Sequence, residues 1–285
     1  MGILKTKKLL QEERLAPHKK LGQNFLIHKA TALGIVEHAK LETDDTVIEV
    51  GPGLGALTGI LAAQAGRVIA LEADAGIVRL HEEKKDLPEN VQLLHADVLK
   101  TDLSELAPEK PLKLVANLPY SISSPFLFHL IKHQSAIEFA VLMLQKELAL
   151  RLIARPGTKE YGAPTILLAS CAQVELLMEV GPEVFHPRPK VDSMVLRLTF
   201  QPTPPRVQAL GEFDYPLFAR LVRSAFGQRR KTLLNSLASI LAKKEQLVRC
   251  CEEARINPSC RAETLTLEDF IHLSHAVAAQ EPAVS

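Results

Sequence analysis

Four stretches of this 285-residue chain have the residue types and spacing to do chemistry. Gly51-Pro52-Gly53-Leu54-Gly55 follows the apolar, β-rich run Val47-Ile48-Glu49-Val50, and glycines there admit a ligand that a Cβ would exclude. Glu72 ends a second apolar run, about 20 residues beyond the first glycine, where nucleotide-binding folds place a carboxylate on ribose hydroxyls. Asp97 follows a third run, and Asn117-Leu118-Pro119-Tyr120 follows a fourth. Pro119 lacks an N–H and biases Leu118 toward an extended backbone, which aims the Asn117 side-chain oxygen and a nearby carbonyl together. Two acceptors suit the two N–H groups of an exocyclic amine, and the Tyr120 ring offers a base a stacking face worth about 1–3 kcal/mol. Accepting both hydrogens favours a pyramidal nitrogen whose localised lone pair attacks an electrophilic methyl. Alkylation acidifies the amine, so no strong base is required.

These groups need an open α/β sheet to bring them together. Apolar runs at 47–50, 67–71, 91–94 and 112–116 predict four parallel strands, each delivering a functional group at its carboxyl end, where such sheets bind ligands. Helices are expected over 29–39, 56–65 and 125–133, with a fifth strand at 139–144. Further helices are expected at 145–153 and 164–172, around a polar loop at 155–163. Residues 174–180 and 191–200 alternate like paired strands, with the proline-stiffened Phe185-His186-Pro187-Arg188-Pro189-Lys190 between them. Gln201-Pro202-Thr203-Pro204-Pro205 reads as a linker. Beyond it, helices are expected over 215–226, 229–242, 244–254 and 267–278. The domain reading is a basic arm and clamp at 1–28, an α/β domain at 29–201 and a helical domain at 206–285.

Composition narrows the function classes. The chain is 47% hydrophobic and 24% charged with a net charge of +1, so a nucleic-acid surface must come from uneven charge placement. No apolar run is long enough to span a bilayer, and the lysine-bearing N-terminus has no apolar core of a signal peptide. Cys171, Cys250, Cys251 and Cys260 form no C-x-x-C pair, which fits free thiols in a reducing cytoplasm. His272 and His275 share a helix face near Cys260, but no stretch has metal-site spacing, and none is expected. Arg223, Arg229, Arg230, Lys231, Lys243 and Lys244 concentrate cations late in the chain. Arg229-Arg230-Lys231 falls at a predicted helix start, where cations oppose the macrodipole, so phosphate contact accounts for it better than stability does.

Gly51-x-Gly53-x-Gly55 is not the dinucleotide G-x-G-x-x-G. A nicotinamide-dependent dehydrogenase would use the same turn and acid yet leave Asp97 and the tetrapeptide without roles. A non-catalytic RNA-binding assembly factor is the other alternative.

Six motifs together resemble the rRNA adenine dimethyltransferases. They are Lys20-Leu21-Gly22-Gln23-Asn24-Phe25-Leu26, the stretch from Glu49 to Thr58, Asn117-Leu118-Pro119-Tyr120, Met143-Leu144-Gln145-Lys146-Glu147, Pro187-Arg188-Pro189-Lys190-Val191-Asp192-Ser193 and Phe226-Gly227-Gln228-Arg229-Arg230-Lys231-Thr232-Leu233. The last two resemble the bacterial small-subunit branch more than the large-subunit resistance enzymes. The resemblance implies a Rossmann-like class I methyltransferase domain, S-adenosyl-L-methionine as donor and a small helical C-terminal domain. It also implies dimethylation of two adjacent adenines in a hairpin near the 3′ end of small-subunit rRNA, by a monomer acting on a pre-ribosomal particle. Carried over, Asn24, Leu26, Gly51, Glu72, Asp97 and Asn117 would hold the donor, with Glu72 on its ribose and Asp97 on its adenine. Asn117, Leu118, Tyr120 and Phe185 would hold the target base, and Arg223, Arg229, Arg230 and Lys231 the RNA. Ser121 stands where many members carry Asn, and Glu72-Ala73-Asp74 lacks a frequent basic residue.

Overall fold

The computed structural model describes residues 24–106, 110–241 and 243–280. The basic arm and the first four residues of the Lys20–Leu26 motif lie outside them. The chain forms two compact units, one of residues 24–149 and 173–202 and one of residues 150–172 and 203–280.

In the first unit, β1 (Phe25–Leu26) leads into α1 (Lys29–Glu37). Then β2 (Thr46–Val50), α2 (Thr58–Gln64), β3 (Arg67–Glu72), α3 (Ala75–Lys84) and β4 (Val91–His95) alternate. They continue through β5 (Leu112–Asn117), α4 (Ser123–Lys132) and β6 (Ile137–Gln145). After α5 (Lys146–Leu152) and α6 (Ala163–Ala169), the chain returns as β7 (Gln173–Val180), β8 (Phe185–His186) and β9 (Ser193–Thr199). The seven-stranded sheet runs β4-β3-β2-β5-β6-β9-β7. Its first five strands are parallel, and β9 lies antiparallel between β6 and β7. Chain order reverses between β2 and β5, so the carboxyl ends of these two strands flank the switch-point crevice.

Burial on both faces explains the near-continuous apolar strands. Val47, Val68, Val115 and Val141 are fully buried in one core with Ile35, Val36 and Leu61. The same core is closed by Phe139, over which the Arg197 guanidinium stacks at 3.6 Å while donating to the His38 carbonyl at 3.0 Å. β1 pairs antiparallel with β8, Leu26 opposite Phe185, outside the main sheet.

The second unit adds α7 (Pro205–Gln208), α8 (Tyr215–Gly227), α9 (Leu233–Ser236), α10 (Lys244–Glu253) and α11 (Leu267–Ala278). Residues 150–172, expected in the α/β domain, group instead with these helices. Tyr161 is the physical reason, since its hydroxyl donates to the Leu265 carbonyl at 2.8 Å and its ring meets Phe226 edge-on at 6.0 Å. The helix expected over 229–242 contracts to the single turn of α9. Its first amides are captured from outside, Leu233 N–H by the Cys260 carbonyl at 2.7 Å and Leu234 N–H by that of Pro258 at 3.2 Å.

Candidate active site

The cleft at the β2–β5 switch point is lined by the glycine loop, Asn24, Leu26, Glu49, Glu72 and the Asn117–Tyr120 turn. Gly51, Gly53 and Gly55 have φ of +67°, +54° and +77°, a region that L side chains rarely adopt. At Gly53 a Cβ would also stand 3.2 Å from the Phe25 ring. The loop is therefore a cradle that another residue type would strain or fill.

Two carboxylates share this cleft. Glu72 is buried and accepts from Gly53 N–H at 3.2 Å and Asp74 N–H at 2.9 Å. Those bonds lower its pKa, but burial outweighs them and the net shift is upward. A carboxylate offers about four acceptor positions, so capacity for two hydroxyls is left. Glu49 was not recognised from the sequence as a site residue. It is 1% exposed on β2, and its Oε2 has no hydrogen-bond partner among the described residues. Burial pushes its carboxyl up to about 8; the Thr58 hydroxyl offsets part of this without reaching hydrogen-bond geometry, and Glu72 adds to it. The available signal was an acid inside a strand buried on both faces, where an unpaired carboxylate is costly. A cation bound in the cleft would relieve both acids.

Glu49 also carries a prediction. Its folded-state pKa lies above the ordinary 4.5, so its stabilising contribution is fully present below that value and is lost as pH rises toward about 8. Glu49→Gln is expected to raise the Tm of the ligand-free protein at pH 8 relative to wild type, with the gap closing by pH 5. A gap that is equal at both pH values would contradict the buried, proton-holding carboxyl.

Asn117 closes β5. Its Nδ2 donates to the Asn24 carbonyl at 3.3 Å, which leaves Oδ1 as the accepting end of the side chain. The Leu118 carbonyl has no hydrogen-bond partner among the described residues. The Tyr120 hydroxyl and Ser193 Oγ are 3.0 Å apart, which holds the ring at its far edge. Burial raises the Tyr120 pKa, so this ring is a neutral stacking face. Ser193 is fully buried at the start of β9. Ser193→Ala is expected to raise the KM for a substrate base stacked on Tyr120 several-fold, with affinity for a ligand on the glycine loop unchanged, because it frees the ring without altering the cleft floor. Kinetics with varied substrate check this, and an unchanged KM would show that the hydroxyl pair does not position Tyr120.

Two other candidates lie elsewhere. Asp97 stands on the same sheet edge, since Ala96 N–H donates to the Glu72 carbonyl at 2.9 Å. Its carboxylate, however, caps Leu99 N–H at 3.0 Å and is absent from the cleft wall. Phe185 is 3% exposed in the core, opposite Leu26, and stands behind the wall rather than on it.

In the helical unit, Arg229 is a structural staple. It donates to the carbonyls of Lys159 at 2.8 Å and Tyr161 at 3.2 Å, and lies 3.6 Å from Glu263. Arg230 and Lys231 are exposed in the turn before α9 and make no ion pair among the described residues. Arg223 is exposed on α8. Among the described residues no group of three His, Cys, Asp or Glu could hold a metal ion, and no helix is long and apolar enough to cross a membrane.

The sheet order, the antiparallel β9 and the switch-point cleft with its glycine cradle define a class I methyltransferase fold. Within that class, a family model for ribosomal RNA adenine dimethylase matches residues 14–279, and the chain belongs to that family. The ribosomal RNA small subunit methyltransferase A of Desulfotalea psychrophila is 48% identical over 283 residues, covering 95% of this chain and 94% of that one. Its counterpart in Alkaliphilus metalliredigens is 41% identical, with 97% of each chain covered. Among solved structures, a dimethyladenosine transferase from Plasmodium falciparum superposes with a TM-score of 0.72 at 26% identity, over 87% of this chain and 95% of that one. The 23S rRNA methyltransferase ErmE gives 0.65 at 26% identity, over 90% and 100%.

Proposed function

We propose that the protein dimethylates the exocyclic amines of two adjacent adenines in a hairpin near the 3′ end of small-subunit rRNA, with S-adenosyl-L-methionine as methyl donor. The observation that carries this reading is the Asn117–Tyr120 turn, with two acceptors and a stacking ring, in one cleft with two buried carboxylates. The small-subunit assignment comes from the names of relatives up to 48% identical over nearly the whole chain.

When bound, S-adenosyl-L-methionine supplies an electrophilic methyl on a sulfonium. Its positive charge suits a cleft holding Glu49 and Glu72, whereas the pyrophosphate of a nicotinamide dinucleotide would meet both acids as an anion. Glu72 would take the ribose hydroxyls and Glu49 the donor's ammonium, while Gly51, Asn24 and Leu26 would shape the cradle. Asp97 would accept from the donor's adenine amine through Oδ2, since its cap on Leu99 N–H uses Oδ1. On the substrate side, Tyr120 stacks the base while Asn117 Oδ1 and the Leu118 carbonyl accept the amine hydrogens. The amine lone pair is thereby localised for attack on the methyl, whose bond to sulfur would break to leave the neutral thioether S-adenosyl-L-homocysteine, and the alkylated nitrogen gives its proton to water. A second round completes the dimethylation.

The helical unit supplies phosphate contacts from Arg230, Lys231 and Arg223, and the protein works as a cytoplasmic monomer on a pre-ribosomal particle. Reversing Arg230 and Lys231 to Glu is expected to weaken particle binding and flatten its salt dependence by about two counterions, with donor affinity retained. Particle affinity across a salt series is the test; an unchanged slope would place the RNA surface elsewhere. Arg229→Ala, by contrast, is expected to lower Tm.

A further inference from the structure

Gly53 is held through both of its backbone groups. Its N–H donates to Glu72 Oε2 at 3.2 Å, and its carbonyl lies 2.8 Å from Nε2 of His81 on α3. His81 is 4% exposed, and a Cβ at Gly55 would stand 3.7 Å from its ring, so the imidazole supports the glycine loop from beneath. Its other nitrogen, Nδ1, is 2.7 Å from the Asp86 carboxylate. Both neighbours are acceptors. An N–H on Nε2 donates to the Gly53 carbonyl, and the Asp86 carboxylate at Nδ1 holds the plane of the ring.

We propose that His81, held by Asp86, is the positioning residue of the glycine loop, fixing the Gly53 carbonyl so that its N–H stays on Glu72. Asp86 is the carboxylate in direct contact, and Glu72 is reached only through the Gly53 peptide. The remaining charged groups at this end of α3, Glu82, Glu83, Lys84 and Lys85, are exposed. The ring thus acts on the ribose carboxylate at one remove, through a contact spanning 28 residues of sequence. The inference rests on reading this cleft as the donor site.

The test uses the full chain with nitrogen-15-labelled histidine, together with calorimetric titration of S-adenosyl-L-methionine. In the donor-free wild type, His81 Nε2 is expected to carry a proton hydrogen-bonded to the Gly53 carbonyl. Asp86→Asn, whose amide donates to a bare Nδ1, is expected to leave a single ring proton, on Nε2. His81→Leu is expected to weaken donor binding about tenfold or more, the loss of one charge-assisted hydrogen bond. His81→Gln, which keeps an N–H for the Gly53 carbonyl, is expected to recover most of that loss. A bare Nε2 on His81 in a wild type that binds donor would overturn the strut alone, as would wild-type affinity in His81→Leu. Failure of the wild type to bind the donor would overturn the donor-site reading and the strut with it.

Discussion

Asn117→Ala is expected to lower methyl transfer by about 10²–10³-fold, the range seen when one preorganised polar group facing developing charge is removed. Binding of the ribosomal particle should change far less. The asymmetry follows from when the contact matters. The Asn117 amide is oriented by the Asn24 carbonyl at 3.3 Å, which turns Oδ1 into an acceptor before substrate arrives. Its interaction with the amine strengthens as the nitrogen pyramidalises and its hydrogens grow acidic, so it is spent on the transition state rather than on binding. Loss of the Asn24 contact adds a modest weakening of donor binding, because Asn24 also lines the cleft. Single-turnover transfer rates beside particle affinities separate these effects. Equal losses in rate and particle affinity would make Asn117 a structural residue.

Glu72→Ala is expected to weaken donor binding by about 1.5–3 kcal/mol, or roughly 10- to 150-fold, through loss of charge-assisted hydrogen bonds to the ribose. The carboxylate is buried and already holds the amides of Gly53 and Asp74, so its removal also releases the loop it organises. Glu72→Gln should lie between Ala and wild type, since one carbonyl oxygen remains to accept while the charge is gone. The pH dependence has a definite sign. Burial raises the pKa of Glu72 and of Glu49, and a cationic donor favours their ionised forms, so donor affinity falls as pH drops through their titration. Calorimetry on folded variants checks both statements, and unchanged affinity in Glu72→Ala would remove the ribose assignment.

The central strands and the glycine loop were legible in the sequence because β2, β3, β5 and β6 are mostly buried and read as near-unbroken apolar runs. The positions of Glu72 and Asn117 followed, since a parallel sheet gathers strand carboxyl ends on one edge. Long-range pairing was not legible. The run 229–242 has helical spacing, yet the Pro258 and Cys260 carbonyls take its first amides, and only Leu233–Ser236 closes a turn. Arg229 looked like a phosphate ligand for the same reason, before carbonyls at Lys159 and Tyr161 claimed its guanidinium. Glu49 looked like one polar residue in an apolar strand, and its orphaned oxygen is a property of the packed cleft. Phe185 was named by motif resemblance, which carries no information about burial; β1–β8 pairing puts its ring in the core. His81 lies in a helix with nothing local to distinguish it from a buried core histidine.

Methylation of adjacent adenines in small-subunit rRNA by this cleft is tested by incubating the purified protein with S-adenosyl-L-methionine carrying a labelled methyl group and small ribosomal particles lacking the modification, then mapping the label on the RNA. Two neighbouring N6-dimethyladenosines near the 3′ end are expected, with four methyl groups per particle at completion and no label with Asn117→Ala on the same time scale. No incorporation by a wild type that binds the donor, or label on large-subunit RNA instead, would contradict it.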